Sequence, residues 1–204
     1  MSYCDFFRSL REKKVEDLVY KLEGLRPGHQ EEVGQIIRSF CILNDCPDIF
    51  GDLQLLNYYK DIGLPLFSDL ICQPKRFSQE EKMLVARHPF FSAHILDLEG
   101  FEEVMGVDLF ESILYHHERW DGSGFFRKRR EEIPHYARLL APMDFYVSLT
   151  SNRPYRGAVN EEVALKEIYN EAGRKFDPAI LDKVIEAIQT PVEYMNCARP
   201  QCAN

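Results

Sequence analysis

Two adjacent histidines, His116 and His117, follow the apolar stretch Leu109-Phe-Glu-Ser-Ile-Leu-Tyr115 and stand just before Asp121-Gly-Ser-Gly124. Imidazole nitrogens suit Fe, Zn, Mn and Ni. Neighbours on a helix point about 100° apart, so both rings reach one centre only where that centre lies at the helix end. A surface pair accounts for the dipeptide equally well. Asp144 adds weight to the metal reading. It sits inside Leu139-Leu-Ala-Pro-Met-Asp-Phe-Tyr-Val-Ser-Leu149, and a carboxylate buried in such a segment is costly unless it is paired or coordinates a cation. The competing reading for Asp144 is a bond to a nearby arginine or a backbone amide. The remaining histidines are His29, His88, His94 and His135.

The elements that must position these groups read as helices throughout. Residues 5–23 carry Phe6, Phe7, Leu10, Val15, Leu18, Val19 and Leu22 on a helical period that Gly24 ends. Pro27 opens a second helix, with Val33, Ile36, Ile37 and Phe40 on one face. Residues 48–60 form a third. Ser78-Gln-Glu-Glu81 fits a capping box, and the helix behind it is expected to run to about Leu98. Another covers about 108–118. Pro134 starts a helix through Thr150, in which Pro142 predicts a kink or a break. Asn160 caps a helix that Gly173 closes, and Asp177-Pro178 opens the last, which stops before Pro191. No run of alternating β-branched residues is present. The fold class is therefore all-α.

Composition narrows the function classes. The chain has 204 residues, 25 basic and 33 acidic, for a net charge of −8. Such a chain is a poor general binder of duplex nucleic acid, which needs a basic field. No stretch reaches the length of a membrane span, and Met1-Ser-Tyr-Cys-Asp-Phe-Phe-Arg8 lacks the apolar core of a secretory signal, so a cytoplasmic location is expected. Cys4, Cys41, Cys46, Cys72, Cys197 and Cys202 are accordingly read as reduced thiols. Cys197 and Cys202 lack a second Cys/His pair that would complete a metal site. Arg127-Lys-Arg-Arg130 followed by Glu131-Glu132 is read as a solvated loop.

Taken in order, the motifs resemble a known family. His116-His-Glu-Arg-Trp-Asp-Gly-Ser-Gly-Phe-Phe126 is similar to the HHExxDGxGYP signature of HD-GYP domains. Ile133-Pro-His-Tyr-Ala-Arg138 resembles the family's IPxxAR segment, and Asp144 falls where its VAD motif places an aspartate. Leu149-Thr-Ser-Asn-Arg-Pro-Tyr-Arg156 and Gly173-Arg-Lys-Phe-Asp-Pro178 resemble two further segments. Phe77-Ser-Gln-Glu-Glu81, His88 and Ile95-Leu96 match an upstream helix. The resemblance covers residues 29–190, with 1–28 as a helical extension and 191–204 as a tail. It implies a helical bundle around a central polar or metal site, and a role in cyclic di-GMP signalling.

The departures from the family pattern shape the functional expectation. Aligned on Ile62-Gly-Leu-Pro65, the HD pair of the HDxGKxGxP segment falls on Asn57-Tyr58, and its lysine on Asp61, beside Lys60. The glycine-tyrosine-proline motif reads Gly124-Phe125-Phe126, and the position tied to a third metal reads Leu25. The family's ligand set then carries over as His29 and Asp144 for one ion and His88, His116 and His117 for the other. That leaves at most one Fe, Mn or Zn ion, at the three histidines, or none. Asp52 and Asp61 are the carboxylates nearest in sequence to replace a lost bridge. The resemblance implies that Arg153, Arg156 and Lys60 contact the cyclic dinucleotide. The expected protein binds cyclic di-GMP or a partner with little or no hydrolysis. An active phosphodiesterase with a reduced metal site is the first alternative. A module docking a diguanylate cyclase through Phe125, Phe126 and the basic run is the second, and a helical iron oxygenase is the most remote.

Overall fold

Apolar residues three and four apart roll the chain into helices, and no strand forms among the described residues, 15–152 and 156–190 of a computed structural model. The helices are α1 (Val15–Leu25), α2 (His29–Leu43), α3 (Phe50–Tyr59), α4 (Gln79–Val85), α5 (His88–Leu98), α6 (Phe101–Met105), α7 (Val107–Tyr115), α8 (His135–Thr150), α9 (Glu161–Asn170) and α10 (Pro178–Gln189). Single turns at Leu64–Phe67 and Ser68–Ile71 follow α3. The all-α expectation holds.

Helix α2 is central. It packs against α3, α8 and α10, and α5 packs on α7. Val33, Ile37, Leu53, Leu56, Ile113, Met143 and Val184 are wholly buried in one core. Helix α1 buries Leu18 and Leu22 in the same core and touches the Leu64–Phe67 turn. Residues 1–14, with the first half of the expected 5–23 helix, and 191–204 lie outside the described residues.

Two local expectations change. The capping box is present, with Ser78 accepting from the Glu81 amide and Glu81 from the Ser78 amide. The helix behind it stops at Val85, however, and Pro89 sits in the first turn of α5. A proline at the second position fits the start of a helix better than its interior, and the break places His88 at a helix N-terminus. Helix α8, by contrast, continues through Pro142. Pro142 deprives α8 of one amide donor, but Leu139, Leu140 and Met143 around it are buried and hold both halves to the core.

One close approach sets the geometry of the centre. A Cβ on Gly63 would lie 2.5 Å from the His88 carbonyl oxygen and 2.9 Å from the Ser92 amide. The Gly63 amide also donates to Ser92 Oγ at 2.9 Å. The chain just after Asp61 is thereby pressed onto the first turn of α5. Gly63→Ala is expected to cost about 1–3 kcal/mol, the usual range for overpacking a core. Urea unfolding checks it; an unchanged midpoint would mean that α5 shifts freely.

Candidate metal centre and ligand cavity

Three imidazoles meet beneath an open cavity. His116 and His117 stand at the C-terminal end of α7, and His88 at the N-terminal end of α5. Their ring centroids are 4.1 Å apart for His116 and His117, 4.9 Å for His88 and His117, and 5.4 Å for His88 and His116. His88 Nδ1 lies 2.8 Å from the Val85 carbonyl and His116 Nδ1 2.7 Å from that of Ile113. Nδ1 is the donor in both, so each Nε2 lone pair is turned inward, as a backbone carbonyl does for metal-bound histidines. Burial lowers the His116 pKa below 6.5. Burial, then His116 and His88, push that of His117 well below it. The His117 ring is exposed to the cavity but surrounded by protein, and neutral imidazole is the ligating form.

Asp61 completes this group. Its Oδ1 lies 3.1 Å from His88 Nε2 and 3.6 Å from His116 Nε2. None of these three buried atoms forms a hydrogen bond. Lone pairs converging without a proton between them repel one another and call for a cation. Asp61, His88, His116 and His117 each offer one ligand atom, all within 4.8 Å of one another. Three imidazoles and a carboxylate suit Fe, Mn or Zn. This donor set fits a divalent ion.

The other side of Asp61 differs. His29, Asp61 and Asp144 also bring ligand atoms within 4.8 Å of one another, but cations of the protein already lie among them. Lys60, wholly buried, places its ammonium against Asp61 Oδ2 and 2.7 Å from Asp144 Oδ1. Arg26 Nη1 donates to Asp61 Oδ2 at 2.5 Å, and Nη2 sits 2.6 Å from His29 Nε2 and donates to Ser148 Oγ at 3.1 Å. His29 Nε2 is 2.8 Å from Asp144 Oδ1. Burial alone would raise both carboxyl pKa values. The Lys60 ammonium and the Arg26 guanidinium outweigh it at Asp61, and Lys60, His29 and Arg26 at Asp144, so both stay well below the usual carboxylate range.

The structure corrects the placing of the HD pair on Asn57-Tyr58. Asn57 is buried and donates to the Gln30 carbonyl at 2.8 Å, while Tyr58 is 44% exposed and packs edge-on against Tyr59. The pair that reaches the centre is Lys60-Asp61. Asp61-Ile62-Gly63 keeps the aspartate-x-glycine spacing of the pattern, and the segment from Gly63 to Pro65 is three residues shorter. Alignment on the proline hid this. Asp61 is one of the two carboxylates the sequence offers in place of the bridge, and its position beside the apolar run Ile62-Gly-Leu-Pro-Leu-Phe67 is the local signal that favours it over Asp52. Asp52 lies elsewhere, accepting from the Tyr136 hydroxyl at 2.6 Å.

The residues expected to contact phosphate stand in different settings. The Lys60 ammonium is held by two carboxylates. Arg156 donates to the Leu149 and Ser148 carbonyls at 3.0 and 2.7 Å, which caps the end of α8. Arg153 lies outside the described residues. The cavity, about 990 Å³, is lined by Lys60 and also by Lys82, Arg119, Arg127 and Lys175, with Phe125, Phe145 and Phe176 among its apolar walls. Sequence reasoning did not single out Lys82, Arg119 or Lys175 and read Arg127 as part of a solvated loop, because only the tertiary structure gathers them around one cavity.

The loop over this cavity is built on Glu118. Its buried carboxylate accepts from the amides of Phe126 and Lys128 at 2.8 and 2.9 Å. A Cβ on Gly124 would lie within 2.6 Å of that carboxylate, so only glycine lets the loop close over it. Phe125 and Phe126 are 62% and 40% exposed. Phe126 packs against Tyr115, and both phenylalanines line a shallow groove with Pro89 and Phe90.

Comparison with known proteins agrees with this architecture. The profile of the HD domain family matches residues 15–180. The chain is similar to a cyclic di-GMP phosphodiesterase of Pseudomonas aeruginosa, at 34% identity over 71% of this chain and 34% of that one. A cyclic di-GMP phosphodiesterase of Vibrio cholerae is 32% identical over 59% of this chain and 25% of its own length. A 3′3′-cGAMP-specific phosphodiesterase of the same organism is 25% identical over 87% and 35%. The chain thus spans a quarter to about a third of these relatives. A crystal structure of a cyclic GMP-AMP-specific phosphodiesterase of V. cholerae shares the fold, with a TM-score of 0.59 at 19% identity over 83% of this chain and 45% of that one. Among the described residues no helix is long and apolar enough to cross a membrane.

Proposed function

Because the chain belongs to the HD domain family, in its HD-GYP branch, we propose that it binds a cyclic dinucleotide, cyclic di-GMP in the first place, over a one-ion centre and hydrolyses it slowly or not at all. The observation that carries this reading is the cavity, with a three-imidazole and carboxylate cluster at one end and Lys82, Arg119, Arg127 and Lys175 around it. Its volume of about 990 Å³ is at the upper end of ligand pockets, ~300–1,000 Å³. Two phosphodiesters need cations in more than one place, and guanidinium forks match phosphate oxygens in pairs. Phe125, exposed at the cavity, offers a face for a base.

The chain's own groups prepare the site. The Val85 and Ile113 carbonyls hold His88 and His116 in the tautomer that aims Nε2 inward. Lys60 and Arg26 keep Asp61 ionised and pin one of its oxygens. An ion held by His88, His116, His117 and Asp61 would supply a Lewis acid for a phosphoryl oxygen and a hydroxide at neutral pH. A single ion lacks the paired clamp on attacking and leaving oxygens, which supports slow turnover. The presence of Asp61 in the cluster favours some hydrolysis over none, and this is the second reading.

Calorimetric titration with cyclic di-GMP, with and without Mn²⁺, tests the proposal. Lys82→Ala/Arg119→Ala is expected to weaken binding about a hundredfold, the equivalent of ~3 kcal/mol from two charge-assisted contacts. Chromatography of the products then separates the two readings. No binding of either cyclic di-GMP or 3′3′-cGAMP would overturn the proposal.

A further inference from the structure

Asp61 divides the centre between its two oxygens. Oδ1 faces His88 and His116 and has no hydrogen-bond partner. Oδ2 is taken by the Lys60 ammonium and the Arg26 guanidinium. The same ammonium takes Asp144 Oδ1 at 2.7 Å, and the same guanidinium lies 2.6 Å from His29 Nε2. Asp61 Oδ2, Asp144 Oδ1 and His29 Nε2 therefore each already face a cation of the protein.

We propose that Lys60, seconded by Arg26, is a built-in cation that takes the place of an ion between His29, Asp61 and Asp144, so that the centre holds at most one ion, on the imidazole side of Asp61. This rests on reading the imidazole side as an ion site. The charge count supports it. Asp61 and Asp144 carry two negative charges, and Lys60 and Arg26 two positive ones. A divalent ion among them would put four positive charges against two negative. Burial strengthens the repulsion, because Lys60 is 1% exposed and has no water to turn towards. The geometry points the same way, since an ammonium in contact with two carboxylate oxygens fills the space that an ion sharing those oxygens would need. Arg26, 10% exposed, lies nearer the surface. Lys60 is thus a positioning residue. It orients Asp61 so that its free oxygen faces the imidazoles.

The test is the metal content of the full chain loaded with Mn²⁺ under anaerobic conditions and freed of excess, for wild type, Lys60→His and Arg26→Ala/Lys60→His. The expected values are one equivalent for wild type and two for at least one variant. Two manganese ions sharing Asp61 also couple magnetically, so the resolved six-line signal of an isolated ion should collapse in the variant that gains one. The wild-type value by itself tests the ion reading under the proposed function. The gain between wild type and variant tests the role of Lys60. Folded variants that gain no ion would overturn the proposal. If the variants fail to fold, wild type still decides. Two equivalents with a coupled signal overturn it, and one with an isolated signal supports it.

Discussion

Asp61→Asn is expected to lower stability by about 3–5 kcal/mol and to abolish ion binding at the imidazole cluster. The carboxylate is 4% exposed and compensates two buried cations, Lys60 at 1% and Arg26 at 10%. Removing one partner of such a network leaves the others as uncompensated buried charge, and that loss, rather than the worth of the contact itself, sets the magnitude. An amide oxygen can still accept hydrogen bonds, but it carries no charge to offset either cation. Asp61→Asn/Lys60→Met should recover a large part of the loss, because it removes one of the stranded charges. Urea unfolding of the two variants and wild type measures the coupling. A single-variant loss below about 1 kcal/mol would mean that water reaches Lys60 after all.

Mn²⁺ is expected to raise the Tm of wild type by about 5–10 °C and to leave His117→Ala nearly unmoved. An ion that binds only the folded chain contributes ~2.7 kcal/mol at a hundred times its dissociation constant. A chain of this size gains ~2–4 °C for each kcal/mol. His117 suits the test because its ring faces the cavity rather than the core, so its loss removes a ligand with little damage to packing. His88 and His116 are buried and bonded to carbonyls, so their removal would confuse the two effects. Addition of a chelator should reverse the shift in wild type. Equal shifts in wild type and His117→Ala would place the ion elsewhere.

Much of this protein was determined by local sequence. Helical spacing, the Ser78 and Glu81 capping box, and the Asn160 and Asp177 caps all read out as elements, because each depends on neighbours within a turn or two. His116-His117 and the apolar setting of Asp144 marked the centre for the same reason. The motif order identified the family, and with it the bundle.

Tertiary structure alone decided what fills the centre. In the sequence Lys60 is an expected phosphate contact and Asp61 one of two carboxylates that could replace the bridge. They became the middle of the site because Gly63 presses that turn onto α5 and brings His88 within reach. Arg26 and Asp61 are 35 residues apart, and Arg26 and Ser148 are 122 apart. The cations of the cavity come from segments as distant as Lys82 and Lys175. Charge compensation in a buried centre depends on distances of a few ångströms between remote segments, and no periodicity or spacing within the chain encodes those distances locally.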